Sequence, residues 1–266
     1  TNCGCIGQHA AAFINGVVFW MGAEGGFFAF DGTVKSLPSL VEDFVFTTDG
    51  DNLGLNFNSR DVVFAAANNL YTEVNWFYPK SGSEQIDRCV TYNYSENIWT
   101  TSSLDRTTYQ DQGVFDAPYA TDYEDTSTPV FPDILGITNL FGASIYYEHE
   151  EGTDQVNSSG TTAIPAFIRS GDWDITSRRS ALGQQTGVAD YRGDGEFFMA
   201  VRRFIPDFKY QTGNAKVTLF VSSYPDDVAV SSPLGPFTVT STTDKVDTRA
   251  RGRLVSIKIE NDALGE

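Results

Sequence analysis

The sequence predicts an all-β chain, with β-propeller-type blades followed by a β-sandwich, and three observations carry that reading. Short runs rich in aromatic and β-branched residues recur from residue 11 onward, separated by Asn15-Gly16, Gly25-Gly26 and Asp31-Gly32. Asn-Gly between two apolar runs is a strong short-range hairpin signal. Strand sets also repeat imperfectly. Phe27-Phe28-Ala29-Phe30-Asp31-Gly32 and Val90-Thr91-Tyr92-Asn93-Tyr94 both alternate, and Phe30 and Tyr92 are 62 residues apart. Four short strands in a repeat of roughly 40–60 residues is the sequence pattern of propeller blades. Beyond about residue 195 the alternation becomes cleaner, as in a compact sandwich.

Taken in order, Ala11–Ile14, Val17–Met21 and Phe27–Phe30 read as strands. A brief helix is expected over 39–46, where Pro38 stands near the start and Leu40, Val41, Phe44 and Val45 share a face. A second strand set follows at 61–66, Glu73–Tyr78, 88–94 and 97–101, and residues 144–149 are expected to open a third. Two and a half sets do not close a ring. The missing initiator Met favours a propeller whose remainder precedes Thr1, with an open sandwich as the alternative. The polar, acidic, Pro-bearing stretch 116–133 reads as a loop between repeats, and 177–195 as a second boundary. The expected domains are therefore 1–180 (blades, part of a larger propeller) and 187–266 (sandwich). In the latter, 197–204, 216–222, 237–240 and 254–259 read as strands, with turns at Thr212-Gly213-Asn214 and Pro225-Asp226-Asp227.

The chain's 266 residues carry a formal charge of −17, and that charge is unevenly placed. Residues 1–160 hold 22 acidic side chains against five basic ones (Lys35, Arg60, Lys80, Arg88, Arg106), whereas residues 161–266 are neutral, with 13 of each. A basic footprint for gripping nucleic-acid phosphate is absent, and anionic lipid is disfavoured for the same reason. The positive charge of the second half gathers at Arg202, Arg203, Arg249, Arg251 and Arg253. A hydrophobic fraction of 41% is enough for a core and excludes intrinsic disorder. No apolar run approaches the ~18 residues that a spanning helix needs. Three cysteines, with Cys3 and Cys5 only two apart, make no disulfide framework and read as reduced.

Several constellations bear on chemistry. Asp172 and Asp174 flank Trp173, and on a strand both carboxylates would share one face, roughly 6–7 Å apart. That separation suits a glycosidase acid–base pair, while the plain reading is a polar strand face with Trp173 turned inward. Glu148-His149-Glu150-Glu151 is not the zincin pattern and reads as a solvated hairpin tip. Asp49-Gly50-Asp51-Asn52-Leu53-Gly54 imitates a calcium loop, but Leu53 and Arg60 stand where oxygen ligands belong, so it reads as a turn. Cys3, Cys5, His9 and Cys89 could compose a zinc site only with unusually tight Cys-x-Cys spacing, and free buried cysteines are the commoner case. Arg192-Gly193-Asp194 reads as a hairpin turn, and the sequons at Asn93 and Asn157 matter only in a secreted chain. Phosphate-binding loops, dinucleotide fingerprints and nucleophile elbows are all missing. The expected catalytic, cofactor-binding and metal-ligating sets are each none.

Four stretches, in order, carry a resemblance. They are Gly4-Cys5-Ile6-Gly7 leading to Asn15-Gly16-Val17-Val18-Phe19-Trp20-Met21-Gly22; Glu73-Val74-Asn75-Trp76-Phe77-Tyr78-Pro79 followed by Val90 to Trp99; Val201-Arg202-Arg203-Phe204-Ile205-Pro206-Asp207-Phe208; and Gly235-Pro236-Phe237-Thr238-Val239-Thr240 continuing through Arg249-Ala250-Arg251-Gly252-Arg253 to Glu260. Together they resemble the tail nozzle proteins of short-tailed bacteriophages, also called tail tubular or packaged-DNA stabilisation proteins. The resemblance implies a structural virion protein rather than an enzyme, located in the phage tail. It implies a propeller-based subunit of a homohexameric ring that continues the DNA channel of the portal and adaptor proteins and meets tail fibres or spikes. The genomic double-stranded DNA would be its cargo, retained and then passed during ejection, with no cofactor. Family members are longer than this chain. The rival reading is a carbohydrate-active propeller using Asp172 and Asp174, or a glycan-binding one with Trp20, Trp76, Trp99 or Trp173 as platforms.

Overall fold

The computed structural model describes residues 3–50, 52–124, 143–152, 154–157, 160–174, 197–223 and 232–261, and among them the fold is all-β. The chain divides into two compact units, Thr1–Glu151 and Gly152–Glu266. The boundary expected between 180 and 187 lies outside the described residues. Residues 152–174, expected in the first domain, group with the C-terminal unit.

In the first unit, β1 (Ala11–Ile14), β2 (Val17–Met21), β3 (Phe27–Phe30) and β4 (Val34–Leu37) form an antiparallel meander in chain order. Asn15 and Gly16 turn the first hairpin with φ of 50° and 82°, the left-handed pair that a type I′ turn requires. Helix α1 (Glu42–Phe46) is shorter than expected, because the Ser39 hydroxyl accepts the Val41 N–H and draws the preceding residues into a turn.

A second meander contains β5 (Phe64–Asn68), β6 (Glu73–Tyr78), β7 (Arg88–Asn93) and β8 (Ile98–Ser102). Its first strand begins later than the expected 61–66. Asp61 and Val62 belong to a 3-10 segment, Phe57–Val62, capped by the Asn56 side chain, which accepts the Asn58 N–H. A third antiparallel sheet orders β11 (Ala143–Glu148), β10 (Tyr119–Glu124) and β9 (Thr108–Gln110). Two expectations change here. Tyr119–Glu124 is a strand, not part of a loop, because it pairs on both sides. The run at 144–149 does not open the third set but forms its third strand. Phe27–Phe30, Arg88–Asn93 and Ala143–Glu148 thus hold the same third position in successive sheets.

Strand β6 explains how these sheets stack. Val74, Trp76 and Tyr78 alternate with Asn75 and Phe77, and all five are buried, so β6 is covered on both faces. On one face Phe27, Trp76, Trp99 and Tyr92 make a ring cluster, with centroids 5.0 Å apart for Phe27–Trp76 and 4.4 Å for Tyr92–Trp99. The cluster continues through Met21, Phe19, Val45 and Leu55. Trp76 satisfies its indole N–H on the Ala10 carbonyl at 3.2 Å, and Trp99 does so on that of Pro38 at 3.1 Å, as buried indoles require. On the other face Phe77 stacks with Phe64 and meets Tyr109 of β9, over Ala66 and Cys89.

The second unit contains the hairpin β12 (Asp154–Asn157) and β13 (Gly160–Ala163), a sheet, and a ribbon. The sheet combines β14 (Ala166–Arg169) with β16 (Ala215–Ser222), β17 (Ser232–Val239) and β19 (Leu254–Asn261), in the order β14-β19-β16-β17. The ribbon pairs β15 (Met199–Phe204) with β18 (Val246–Gly252). Strand β17 is longer than the expected 237–240 and β18 was not anticipated. In β18, Thr248, Ala250 and Gly252 are buried while Asp247, Arg249 and Arg251 are exposed. An alternation of arginine with small residues lacks the apolar period by which strands are usually read.

Candidate functional site

Two surfaces and one half-buried polar cluster stand out. The first surface is the acidic exterior of the N-terminal unit. Of its 17 described Asp and Glu side chains, 13 are exposed and none is buried. Among the described residues, two of its five cations pair with a carboxylate: Lys35 with Asp31 at 2.5 Å and Lys80 with Asp87 at 2.8 Å. Arg88 lies over the Phe44 ring and Arg106 over that of Tyr147. Most of the negative charge is therefore left facing solvent. Such a surface repels phosphate rather than releasing its counterions.

The second surface is the outer face of the β15–β18 ribbon, where the structure gathers the arginines singled out in the sequence. Arg202, Arg203, Arg249 and Arg251 are exposed, and Arg203 pairs with Asp247 across the ladder at 2.6 Å. Arg202, Arg249 and Arg251 have no carboxylate partner among the described residues. Arg251 and Arg253 stand over the Phe198 ring, at 5.5 and 5.3 Å, and Phe197 and Phe198 are themselves half exposed. Planar guanidinium groups beside open aromatic rings are what protein interfaces enrich.

The polar cluster lies in the third sheet and was not legible in the sequence, because its members are some forty residues apart. Arg106 donates from Nε to His149 Nε2 at 3.0 Å, lies 3.7 Å from the Tyr147 centroid, and His149 packs 5.5 Å from the Tyr109 ring. Burial, then the Arg106 charge, push His149 down to about 4, so the imidazole is neutral and serves as an acceptor. Glu148 does not join it, since its carboxylate accepts the Tyr119 hydroxyl at 2.6 Å. The expected solvated tip is thus anchored by its histidine.

The remaining constellations are separated rather than assembled. Asp172 is exposed and Asp174 is buried, so the two carboxylates differ in their access to solvent. Trp173 is not turned inward. It is 43% exposed and touches the sheet through a single bridge to Val255. Trp20, Trp76 and Trp99 belong to the packed interior, which leaves Trp173 alone as an open platform. All three cysteines are free. Cys3 is half-buried, Cys5 is exposed and bonds the Gly7 carbonyl, and Cys89 is buried with its thiol pushed up to about 12 by desolvation. No group of three His, Cys, Asp or Glu converges among the described residues. The calcium-like stretch is a turn in which Asn52 donates its amide to the Phe44 and Thr47 carbonyls. Asn93 accepts the Ser95 and Glu96 N–H groups within its own turn. Arg192-Gly193-Asp194, the second sequon's Ser158 and Ser159, and the turn at Pro225 lie outside the described residues. No described helix is long and apolar enough to cross a membrane.

Neither a family model nor a curated protein matches the sequence.

Proposed function

We propose that this chain is a structural subunit of a phage tail nozzle, a non-enzymatic, homohexameric ring that continues the DNA channel of the tail, retains packaged DNA and lets it pass on ejection. The observation that carries the reading is the pairing of a carboxylate exterior with a separate arginine ribbon. A conduit must not hold its cargo, and each phosphate bound by a cation favours sticking through counterion release. An acidic wall keeps the duplex mobile, while the arginine ribbon, with Phe197 and Phe198, is the natural place for contacts between subunits or with adaptor and fibre proteins. On this reading some of the acids face the lumen and others the outside of the virion.

The architecture belongs to the same proposal. The three N-terminal sheets are consecutive propeller blades, and the C-terminal unit is a β-sandwich in which the β15–β18 ribbon faces β16 and β17. Three features support the blades. Each sheet is an antiparallel meander, the first strands β1, β5 and β9 are neighbours, and His9 bridges Phe64 with the Ala65 N–H donating to the His9 carbonyl at 2.8 Å. Radially arranged blades place their first strands around a common axis.

The test is assembly and transport in the virion. Image averaging of tails carrying the protein is expected to give a six-fold ring. Charge reversal of exposed acids such as Glu42, Asp43, Asp61 and Glu84 is expected to slow DNA ejection. Unchanged ejection would sink the lumen assignment, and a stable monomer that cleaves glycans and loses that activity in Asp172→Asn would replace the whole reading with the carbohydrate-active one.

A further inference from the structure

One face of the second sheet changes character along its length. Phe64, Ala66, Phe77 and Cys89 close its apolar end under Tyr109. Two residues further on, the same face presents Asn68, Glu73, Asn75, Thr91 and Asn93, in the registers Asn68↔Glu73↔Asn93 and Asn75↔Thr91. Most of this polar end is satisfied internally. Thr91 donates to Asn75 Oδ1 at 2.6 Å, and Asn93 bonds its own turn and the Tyr71 carbonyl.

Asn68 is different. It is 1% exposed, its Nδ2 donates to Glu150 Oε1 at 3.3 Å, and its Oδ1 is buried without any donor. A buried amide oxygen left bare costs about 1–3 kcal/mol, and high-resolution folds rarely keep one. The amide oxygen is attached to the same carbon as the nitrogen bonded to Glu150, so it lies within a few ångströms of that carboxylate. Glu73 is the direct ladder partner of Asn68, and such pairs hold their Cβ atoms about 4.5–5.5 Å apart on one face. Neither Glu73 nor Glu150 pairs with a lysine or arginine among the described residues. Asn68 thus links the two acids, Glu73 as its ladder partner and Glu150 as the acceptor of its amide. Nearby Asp111 is already occupied, accepting both the backbone N–H and the side-chain amide of Asn69, and His149 Nε2 is taken by Arg106.

We infer that Asn68 Oδ1, Glu73 and Glu150 bind a calcium ion at the polar end of the second sheet, beside β11. The donors are all oxygens, which selects a hard cation over zinc or copper. Calcium accepts an irregular set of carboxylates, amide oxygen and water, whereas magnesium demands a near-octahedral cage that three side chains on two elements do not make. Glu150 is exposed and Asn68 forms the floor, so the ion enters from solvent and water completes its shell. Two carboxylates are fewer than a tight site uses, and the expected Kd is on the order of 10⁻⁴–10⁻³ M.

The experiment compares thermal unfolding of the whole chain in EDTA, in millimolar Ca²⁺ and in millimolar Mg²⁺, and follows Tb³⁺ luminescence excited through tyrosine, Tyr109 being adjacent. At about tenfold excess over Kd, Ca²⁺ is expected to raise Tm by ~3 °C, with Mg²⁺ weaker. Tb³⁺ emission should appear and be competed away by Ca²⁺. The double variant Glu73→Gln, Glu150→Gln should lose both signals, while Asn68→Asp, which adds a charge at the floor, should bind several-fold tighter. No Ca²⁺ shift in the wild type would overturn the assignment, as would a shift or emission retained by the double variant. A proton shared by the two acids is the other way to relieve them. In that case stability follows pH without responding to Ca²⁺, and that result too would remove the ion.

Discussion

The two units of this chain use antiparallel β-structure to opposite ends. Among the described residues, 22 apolar side chains are buried in the first unit and seven in the second. The first encloses one aromatic cluster between sheets and leaves most of its described carboxylates outside, although Phe13, Leu40, Val114 and Tyr146 are exposed in it too. The second leaves Phe167, Ile168, Phe197, Phe198, Ile205 and Tyr210 exposed, with Arg251 and Arg253 over the Phe198 ring. An exterior of uncompensated charge keeps other surfaces and polyanions away, whereas rings and guanidinium groups left open are surfaces that await a partner. The difference is one of packing: among the described residues the first unit holds the larger apolar core.

The contrast is broken most severely by removing Trp76. Its indole is fully buried, packs against Phe27 and Trp99 and bonds the Ala10 carbonyl. Trp76→Ala is expected to cost ~4 kcal/mol, read as a shift of the first unit's urea transition with the second unit's transition unmoved. A single coincident loss of both would show that the units do not fold separately.

A smaller effect comes from close backbone approach. A Cβ at Gly54 would lie 2.6 Å from the Thr47 carbonyl oxygen and 2.8 Å from its carbon, and neither can swing aside. Gly54→Ala should therefore destabilise the first unit by ~2 kcal/mol in the same measurement. A midpoint equal to that of the wild type would mean that the turn after α1 yields.

Acidification tests the half-buried histidine, His149. His149 titrates near 4 in the fold and near 6.5 when unfolded, so between those values the unfolded chain binds more protons and stability falls as pH falls. With part of the ring reached by solvent, the loss attributable to His149 is discounted to ~1–2 kcal/mol. Glu73 acts in the opposite sense: its raised carboxyl favours the fold at low pH, and that contribution is lost as pH rises through its folded value. The measurement is thus a difference. From pH 7 to 4.5, His149→Gln should lose less stability than the wild type, and equal losses would remove the Arg106–His149 contact as a stabilising feature.

The mildest change in stability is expected at the ribbon. Arg202→Glu, Arg249→Glu and Arg251→Glu alter exposed side chains and should each stay within ~0.5 kcal/mol. The combined variant should nevertheless fail to enter the ring. Normal assembly by that variant would relocate the contact surface.

Much of the fold could be read from local chemistry. Asn15-Gly16 turns where hairpin chemistry puts a turn, and β1, β2, β3 and β6 have the boundaries their alternation implies. The similarity of the runs at Phe30, Tyr92 and residues 144–149 reflects a shared third-strand position, although the sequence alone suggested that the last of them begins a set. Strands β9 and β18 escaped because one is three residues long and the other alternates charge with small residues. The arginine cluster was visible as composition, but the half-sites around Asn68 and His149 were not. Asn68 meets Glu150 across 82 positions and Arg106 meets His149 across 43, and no local pattern encodes such a meeting.

The sequence by itself therefore determined the strand class, the hairpin turns and the division of charge, all consequences of short-range conformation and of composition. Only the tertiary structure decided that Trp76 is enclosed while Trp173 is open, that Asp172 is exposed while Asp174 is buried, and that Asn68 is buried with its amide on Glu150. Burial and long-range pairing are properties of packed surfaces. They arise only when distant strands are brought into register and water is excluded between them.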